Sequence, residues 1–431
     1  MKKLKLHTPN GLNDILPKTY QRKRSVERKI ESIFEQYGYE FVSGPTLEYL
    51  SVFEGKGSIS ATEIYKLEDR NGEILALRPD MTPALVRMVT THNLIEGYGS
   101  SSDPVRLCYI EKSFRNHENY QNKENEFSQA GAELMGVSSP EADAELIALA
   151  IQGLLATGLA NFRVDIGHVD FLSGVLAELD TALSESDRQD FINHIINRDY
   201  MEAEAIADKV SHIAPAGSLL SDLTQLNGGV DMLKDIESLI SDSNTLAKHA
   251  LKHLEEVYSI LQDQNLARYV LLDLSMSGQL DYYTGIVFKG YAKGSGTPVV
   301  DGGRYDKLLA AFNAKRRSIP AIGFGIKIEG LLDALTAQNI DFEYESTYTL
   351  LAYNENARSA ALTTGDIMRK QGLRIENTLI CGDLEAQKAY ALRRKLKGIL
   401  YFNDPETVLL VGLETGQEEK VAVEELKNPK S

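Results

Sequence analysis

Val105-Arg-Leu-Cys-Tyr-Ile110, a polar loop over 116–125, and Phe127-Ser-Gln-Ala-Gly-Ala-Glu-Leu-Met-Gly136 are the stretch whose reading decides the fold. The first segment reads as a strand and the last as its return strand. Upstream, Val26, Ile30, Ile33, Phe34 and Tyr37 fall at helical spacing within 20–37, with Gly38 placed to cap the helix. A strand over 39–42 follows, then a Gly- and Ser-rich loop over 54–60. Two short runs, 64–67 and 74–77, are joined through Asn71-Gly72, a hairpin signal. Arg78-Pro-Asp-Met-Thr-Pro83 opens a helix for which Asp80 or Thr82 is the expected N-cap. Downstream come a helix over 141–157 stopped by Gly158, and a strand over 162–167. From about 170 to 267 the pattern is helical almost throughout, as an insertion would be. Strands are expected again over 269–274, 282–291 and 299–300. Gly302-Gly303 reads as a turn, 305–312 as a helix, and 321–335 as a strand-to-helix step.

The predicted core thus spans 1–335. Residues 336–347 read as a linker, and 348–431 alternate strand and helix as a small α/β domain with a mixed sheet. With 431 residues, 43% hydrophobic and 25% charged, the chain is an ordinary globular protein large enough for several cores. Cys108 and Cys381 stand far apart, with no spacing for a zinc site or a disulfide framework. No apolar run is long enough for a membrane span, and the N-terminus lacks a signal-peptide core, so a cytoplasmic location is expected. The net charge is −16. Residues 346–431 hold 12 Lys+Arg and 12 Asp+Glu, leaving 34 and 50 for the remainder, so the acidity lies on the core. Such a surface repels phosphate backbones and argues against a nucleic-acid partner in the absence of a local basic patch.

Seven segments, in order, resemble the histidyl-tRNA synthetase branch of the class II aminoacyl-tRNA synthetases. Residues 9–17 resemble the N-terminal signature, and the helix and strand ending at Pro45 resemble motif 1, the dimer-forming element. Leu77-Arg-Pro-Asp-Met-Thr82 resembles the amino-acid site, and Ser113-Phe-Arg115 through Phe127-Ser-Gln129-Ala-Gly-Ala-Glu133 resembles motif 2. Leu280-Asp-Tyr-Tyr-Thr284 and Gly302-Gly-Arg-Tyr-Asp306 resemble the two histidine-specific boxes, and Ala321-Ile-Gly-Phe-Gly-Ile-Lys-Ile-Glu329 resembles motif 3. The resemblance implies an α+β fold: an antiparallel sheet flanked by helices, with a helical insertion. The C-terminal domain stands where an anticodon-binding domain would.

The residues agree with a site for a small cationic amino acid. Asp80, Gln129 and the Thr82 hydroxyl supply acceptors for an ammonium group, and Glu133 supplies a partner for an imidazole N–H. Tyr282, Tyr283 and Tyr305 would wall the ring, and Arg115 would reach the carboxylate. The departures from the family concern the nucleotide. Activation by ATP needs cations around the phosphates. Arg115 persists, but in place of the family's arginine-rich loop stands 118–127, with Lys123 among Glu118, Glu124 and Glu126. Gly278 and Gly330 stand where two further arginines are expected. This combination resembles the regulatory subunits of ATP phosphoribosyltransferase, synthetase paralogues without aminoacylation, and Asp165-Ile-Gly-His-Val169 adds to the likeness. It implies no catalytic residues, no metal and no cofactor. The implied partners are a short-form catalytic subunit and a second copy of this chain, with L-histidine as a feedback effector of the first step of histidine biosynthesis. The alternatives are an active histidyl-tRNA synthetase and a tRNA-binding pseudo-synthetase. The second needs a basic face, for which 393–397 is the candidate; because the domain is neutral overall, that run reads rather as the solvated face of an amphipathic helix. His249 and His253 lack the Glu and third ligand of a zinc hydrolase and read as a surface pair. His168 reads as a packed or hydrogen-bonding histidine.

Overall fold

The strand pair 105–136 sits inside a nine-stranded sheet. The computed structural model describes all residues except 1–5, 55–58, 96–102, 118–123, 214, 277–281, 313–317, 341–347, 381 and 428–431. Outside the described residues therefore lie most of the motif 2 loop, Gly278, Leu280, Asp281, the end of the expected linker, and Cys381. The chain divides into two units, Met1–Asp341 and Phe342–Ser431.

In the first unit, Val105–Phe114 pairs antiparallel with Glu126–Met135 over ten residues. Ala321–Lys327, Val300–Arg304, Ile286–Ala292 and Phe162–His168 then continue the sheet antiparallel. Parallel pairs appear towards the margins, where Glu40–Phe41 lies beside the first strand and Val270–Asp273 beside Phe162–His168. The fold is α+β, with the largely antiparallel sheet expected of a class II synthetase.

Alternation assigns the two faces of the sheet. Ser128 meets the helix Pro17–Gln36, whose Lys23 Nζ lies 2.5 Å from Ser128 Oγ and 2.6 Å from Glu329 Oε1. The helix Pro140–Ala156 packs against the same side and buries most of its length. Leu107 and Met135 point the other way, into a core with Val86 and Val89 of the helix Thr82–Thr91 and with Tyr305. That second face carries the site.

Several local expectations are corrected. Gly302 and Gly303 are not a turn but lie inside Val300–Arg304. A Cβ at Gly302 would come within 2.6 Å of Phe324 Cβ, and one at Gly303 within 2.7 Å of the Tyr283 ring, so glycine serves packing here rather than reversal. The helix expected over 305–312 is reduced to one short turn, Leu309–Ala311. Neither Asp80 nor Thr82 is the N-cap. Met81 holds that position in helical conformation, Asp80 Oδ1 accepts from its amide at 2.7 Å, and the Thr82 hydroxyl is turned to Glu133. Among the described residues between Phe162–His168 and Val270–Asp273 the regular elements are helices and the two-residue strand Asn227–Gly228, which adds to the sheet margin.

The second unit has a five-stranded mixed sheet. Ile375–Asn377, Thr349–Tyr353 and Gly398–Phe402 run parallel, and Thr407–Gly412 and Glu418–Ala422 follow antiparallel. Among the described residues no helix is long and apolar enough to cross a membrane.

Candidate functional site

The helix Thr82–Thr91 begins over the middle of the sheet because Arg78, almost fully buried, anchors the approach to it. Its guanidinium donates to the carbonyls of Lys112 and Gly44 at 2.7 Å and pairs with Glu111 at 2.6 Å. This places Asp80 and Thr82 in the wall of a cavity. Strands floor the cavity, and Tyr282, Tyr283 and Tyr305 stand beside it. Asp80, Thr82, Arg115, Gln129 and the three tyrosines all line it, together with Phe127, Asp301 and Lys327.

Glu133 lies deeper. It is fully buried, and its two oxygens accept from Thr82 Oγ1 at 2.7 Å and from the Tyr305 hydroxyl. It stands at this depth because its neighbour across the sheet is Gly323, where any Cβ would overlap the carboxylate. Gly325 likewise makes room for the Gln129 amide, and Gly131 for the Tyr109 ring. The glycines of the floor are therefore the complement of the polar side chains lying over them.

The walls are aromatic. Tyr282 stacks on Tyr305 with centroids 5.8 Å apart and meets Tyr283 edge-on at 4.9 Å. Tyr283 donates to Asp301 at 3.5 Å. The Tyr109 hydroxyl, buried close to Glu133, Asp80 and Tyr282, has no hydrogen-bond partner among the described residues. At the opposite end the Arg115 guanidinium lies 5.6 Å from the Phe127 ring centroid, and its Nε donates to Pro79 O at 3.2 Å.

Charge follows this layout. Burial pushes the Glu133 carboxyl up to about 8; the hydrogen bonds from Tyr305 and Thr82 pull the other way, and Asp80 adds to the rise. Burial also raises Asp80, against the pull of Arg115 and of the Met81 and Thr82 amides. The cavity thus has an end walled by tyrosines, with a weakly acidic carboxyl behind it, and its lining also carries Asp80, Asp301, Arg115 and Lys327. Asp301 and Lys327 were not singled out from the sequence. Alternation was the available signal: each lies an even number of residues from a cavity-facing glycine, Asp301 from Gly303 and Lys327 from Gly325 and Gly323.

A buried polar chain runs beside the site. His168 Nε2 lies 3.2 Å from His253 Nδ1, and His253 Nε2 lies 3.0 Å from Asp143 Oδ2. Asp143 pairs with Arg304, which also meets Asp306 at 3.1 Å. His249 is exposed, but His253 is not the surface residue the sequence led us to expect.

The model of the histidyl-tRNA synthetase family matches residues 11–331, and the chain belongs to that family. A histidyl-tRNA synthetase from Nostoc sp. shares the fold, with a TM-score of 0.80 at 21% identity over 99% of this chain and 100% of its own. Within the family the chain belongs with the ATP phosphoribosyltransferase regulatory subunits. It is 36% identical to the one from Acetivibrio thermocellus over 99% of both chains. It is 33% identical to that of Ruminiclostridium cellulolyticum over 99% of this chain and 100% of the other. A Bacillus halodurans structure described as an ATP phosphoribosyltransferase regulatory subunit/histidyl-tRNA synthetase superposes with a TM-score of 0.78 at 29% identity, over 94% of this chain and 99% of its own.

Proposed function

We propose that this chain is the non-catalytic regulatory subunit of a cytoplasmic ATP phosphoribosyltransferase, a glycosyltransferase complex. It assembles as a homodimer with the short-form catalytic subunit and binds L-histidine in the tyrosine-walled cavity. Histidine binding feeds back on the first step of histidine biosynthesis. The observation that carries this reading is the cavity itself, which offers both charges a zwitterion needs and a buried acid behind its aromatic end. The imidazole would stack among Tyr282, Tyr283 and Tyr305, near Glu133 and the Tyr109 hydroxyl. The ammonium would meet Asp80 and Gln129, with Thr82 beside it, and the carboxylate would meet Arg115.

Coupling between effector and partner is reciprocal: the factor by which histidine weakens substrate binding by the catalytic subunit is the factor by which substrate weakens histidine binding, typically ~1–3 kcal/mol. The test is to co-purify the chain with a short-form transferase and assay phosphoribosyl transfer with and without it. Activity that depends on this chain and falls on adding histidine is expected. A complex that takes up no histidine, or a transferase indifferent to the chain, overturns the reading.

A further inference from the structure

Two histidines root the helical insertion beside the cavity. His168 ends the strand Phe162–His168 and caps the helix Val169–Glu178, where its Nδ1 accepts from the Asp170 amide at 3.2 Å. Burial above all, with His253 nearby, pushes its ring down to about 3, so it is neutral. A neutral imidazole that accepts on one nitrogen carries its proton on the other. The His168 proton is therefore on Nε2, which lies 3.2 Å from His253 Nδ1. That nitrogen must accept in turn, because a proton on it would confront the His168 N–H. The His253 proton is left on Nε2, 3.0 Å from Asp143 Oδ2. Hydrogen bonding thus sets one proton order from the insertion inward.

Asp143 is where that order matters. It is fully buried, its Oδ1 pairs with Arg304, and its Oδ2 has no well-aligned hydrogen-bond donor among the described residues. The short contact from His253 Nε2 brings a proton to that oxygen. Arg304 in turn fastens the tyrosine wall. It immediately precedes Tyr305, its Nη1 meets Asp306 Oδ1 at 3.1 Å, and its carbonyl accepts from the Thr284 amide at 2.8 Å. The Asp306 amide donates to Thr284 Oγ1 at 2.9 Å. The segments bearing Tyr283 and Tyr305 therefore meet at Arg304.

We infer that His253 is a positioning residue of the cavity: with its proton on Nε2 it ties the helix Thr245–Asp263 of the insertion, through Asp143 and Arg304, to the tyrosines that wall the ligand. It does not line the cavity and acts through Arg304. Removing the ring leaves the His168 N–H and Asp143 Oδ2 without each other's link, and frees Asp143 to move with Arg304. The inference deepens the proposed histidine reading, on which its binding test rests.

The test has two arms, both on the full chain. In histidine-labelled wild type at pH 7.5, nitrogen-15 spectra should show His168 and His253 as Nε2–H tautomers, each assigned by its loss in His168→Asn or His253→Gln. An Nδ1–H form or a doubly protonated ring at either position overturns the inference. Calorimetric titration with L-histidine then compares wild type, His253→Leu, His253→Gln and Leu254→Ala. His253→Leu should weaken uptake by roughly 2- to 30-fold. His253→Gln keeps an acceptor for His168 and a donor for Asp143, and should recover most of that loss. Leu254→Ala truncates a buried side chain of the same helix without touching the polar chain, so it reports the effect of lost stability alone. If His253→Leu does not fold, His253→Phe carries the same comparison. Uptake by the apolar variant equal to wild type, reduced no more than by Leu254→Ala, or not recovered by Gln overturns this inference and leaves the histidine reading standing. Wild-type protein that takes up no histidine overturns the histidine reading, and the positioning role with it.

Discussion

Glu133 is the residue at which the site's chemistry and the fold's stability meet. Its carboxyl accepts two hydroxyls but has no cation paired with it among the described residues, and burial holds it protonated up to about pH 8, against an ordinary value of 4.5. The folded chain therefore keeps a proton that the unfolded chain releases, so this group stabilises fully below pH 4.5 and its contribution is lost as pH rises towards 8. The expected size is on the order of a few kcal/mol. Urea unfolding at pH 5.5 and pH 8 should show it, and Glu133→Gln, which cannot ionise, should flatten the dependence across that window. An unchanged slope in the variant would place the proton elsewhere. Gly323 is the matching test from the other side of the contact. Gly323→Ala drives a methyl into the Glu133 carboxylate, so it should lower stability by about 1–3 kcal/mol and weaken histidine uptake. A variant with wild-type thermal stability would show that the carboxylate has room to move. The sequence made Asp80, Thr82 and Gln129 visible because they fall in contiguous motifs. It could not reveal that Gly323 matters as the absence of a side chain, since that depends on a strand almost two hundred residues away.

At the scale of elements, the chain from His168 to Arg304 joins the end of the strand Phe162–His168 to the helix Thr245–Asp263, the helix Pro140–Ala156 and the strand that leads into Tyr305. Burial, with help from His253, His249 and Arg304, pushes His168 down to about 3. A buried neutral histidine stabilises while the unfolded ring is also neutral, so its contribution is complete above pH 6.5 and is lost as pH falls towards 3. His168→Asn should make stability less sensitive to acid over that interval, read from denaturant midpoints at pH 4.5 and pH 7. Asp143 is fully buried and pairs with Arg304, so Asp143→Ala strands a buried guanidinium and should cost about 3–5 kcal/mol. Loss of less than 1 kcal/mol would mean that Asp306 alone satisfies Arg304. Most of these elements were legible from periodicity, including the helix that became Pro17–Gln36, whose buried side follows Val26, Ile30 and Phe34. His253 was misread because helical spacing places a residue on a face but does not say what covers that face; here Asp143, over a hundred residues earlier, does. Gly302-Gly303 was misread for a related reason. Propensity alone makes a glycine pair a turn, and only the packing of Phe288, Phe324 and Tyr283 makes it the middle of a strand.

At the scale of the whole molecule, the question is whether a synthetase-like sheet can serve without a synthetase's reaction. The glutamate of motif 3, Glu329, is engaged structurally: one oxygen accepts from the Ser128 amide at 2.7 Å and the other pairs with Lys23 at 2.6 Å, tying the helix Ile328–Ala337 to the sheet and to the helix Pro17–Gln36. Gly330 follows it where the family's arginine is expected, and a Cβ there would meet nothing closer than Ser295 Oγ at 3.5 Å. The backbone at this position therefore has room for a Cβ. What is missing is the charge, and each cation missing from a phosphoryl site typically costs orders of magnitude in rate. The expectation is that the purified chain, given histidine and ATP, catalyses no pyrophosphate exchange, although it binds histidine. Gly330→Arg should fold as wild type, with a thermal midpoint within a few degrees, and should still be inactive, because a single restored cation leaves Gly278 and the acid-rich sequence 118–127 in place of the family's other cations. Exchange above background in the wild type would mean that the nucleotide is gripped by residues other than the arginines the family uses. Exchange appearing only in Gly330→Arg would instead mean that the rest of the activating machinery is intact and that one lost charge separates the regulator from the enzyme.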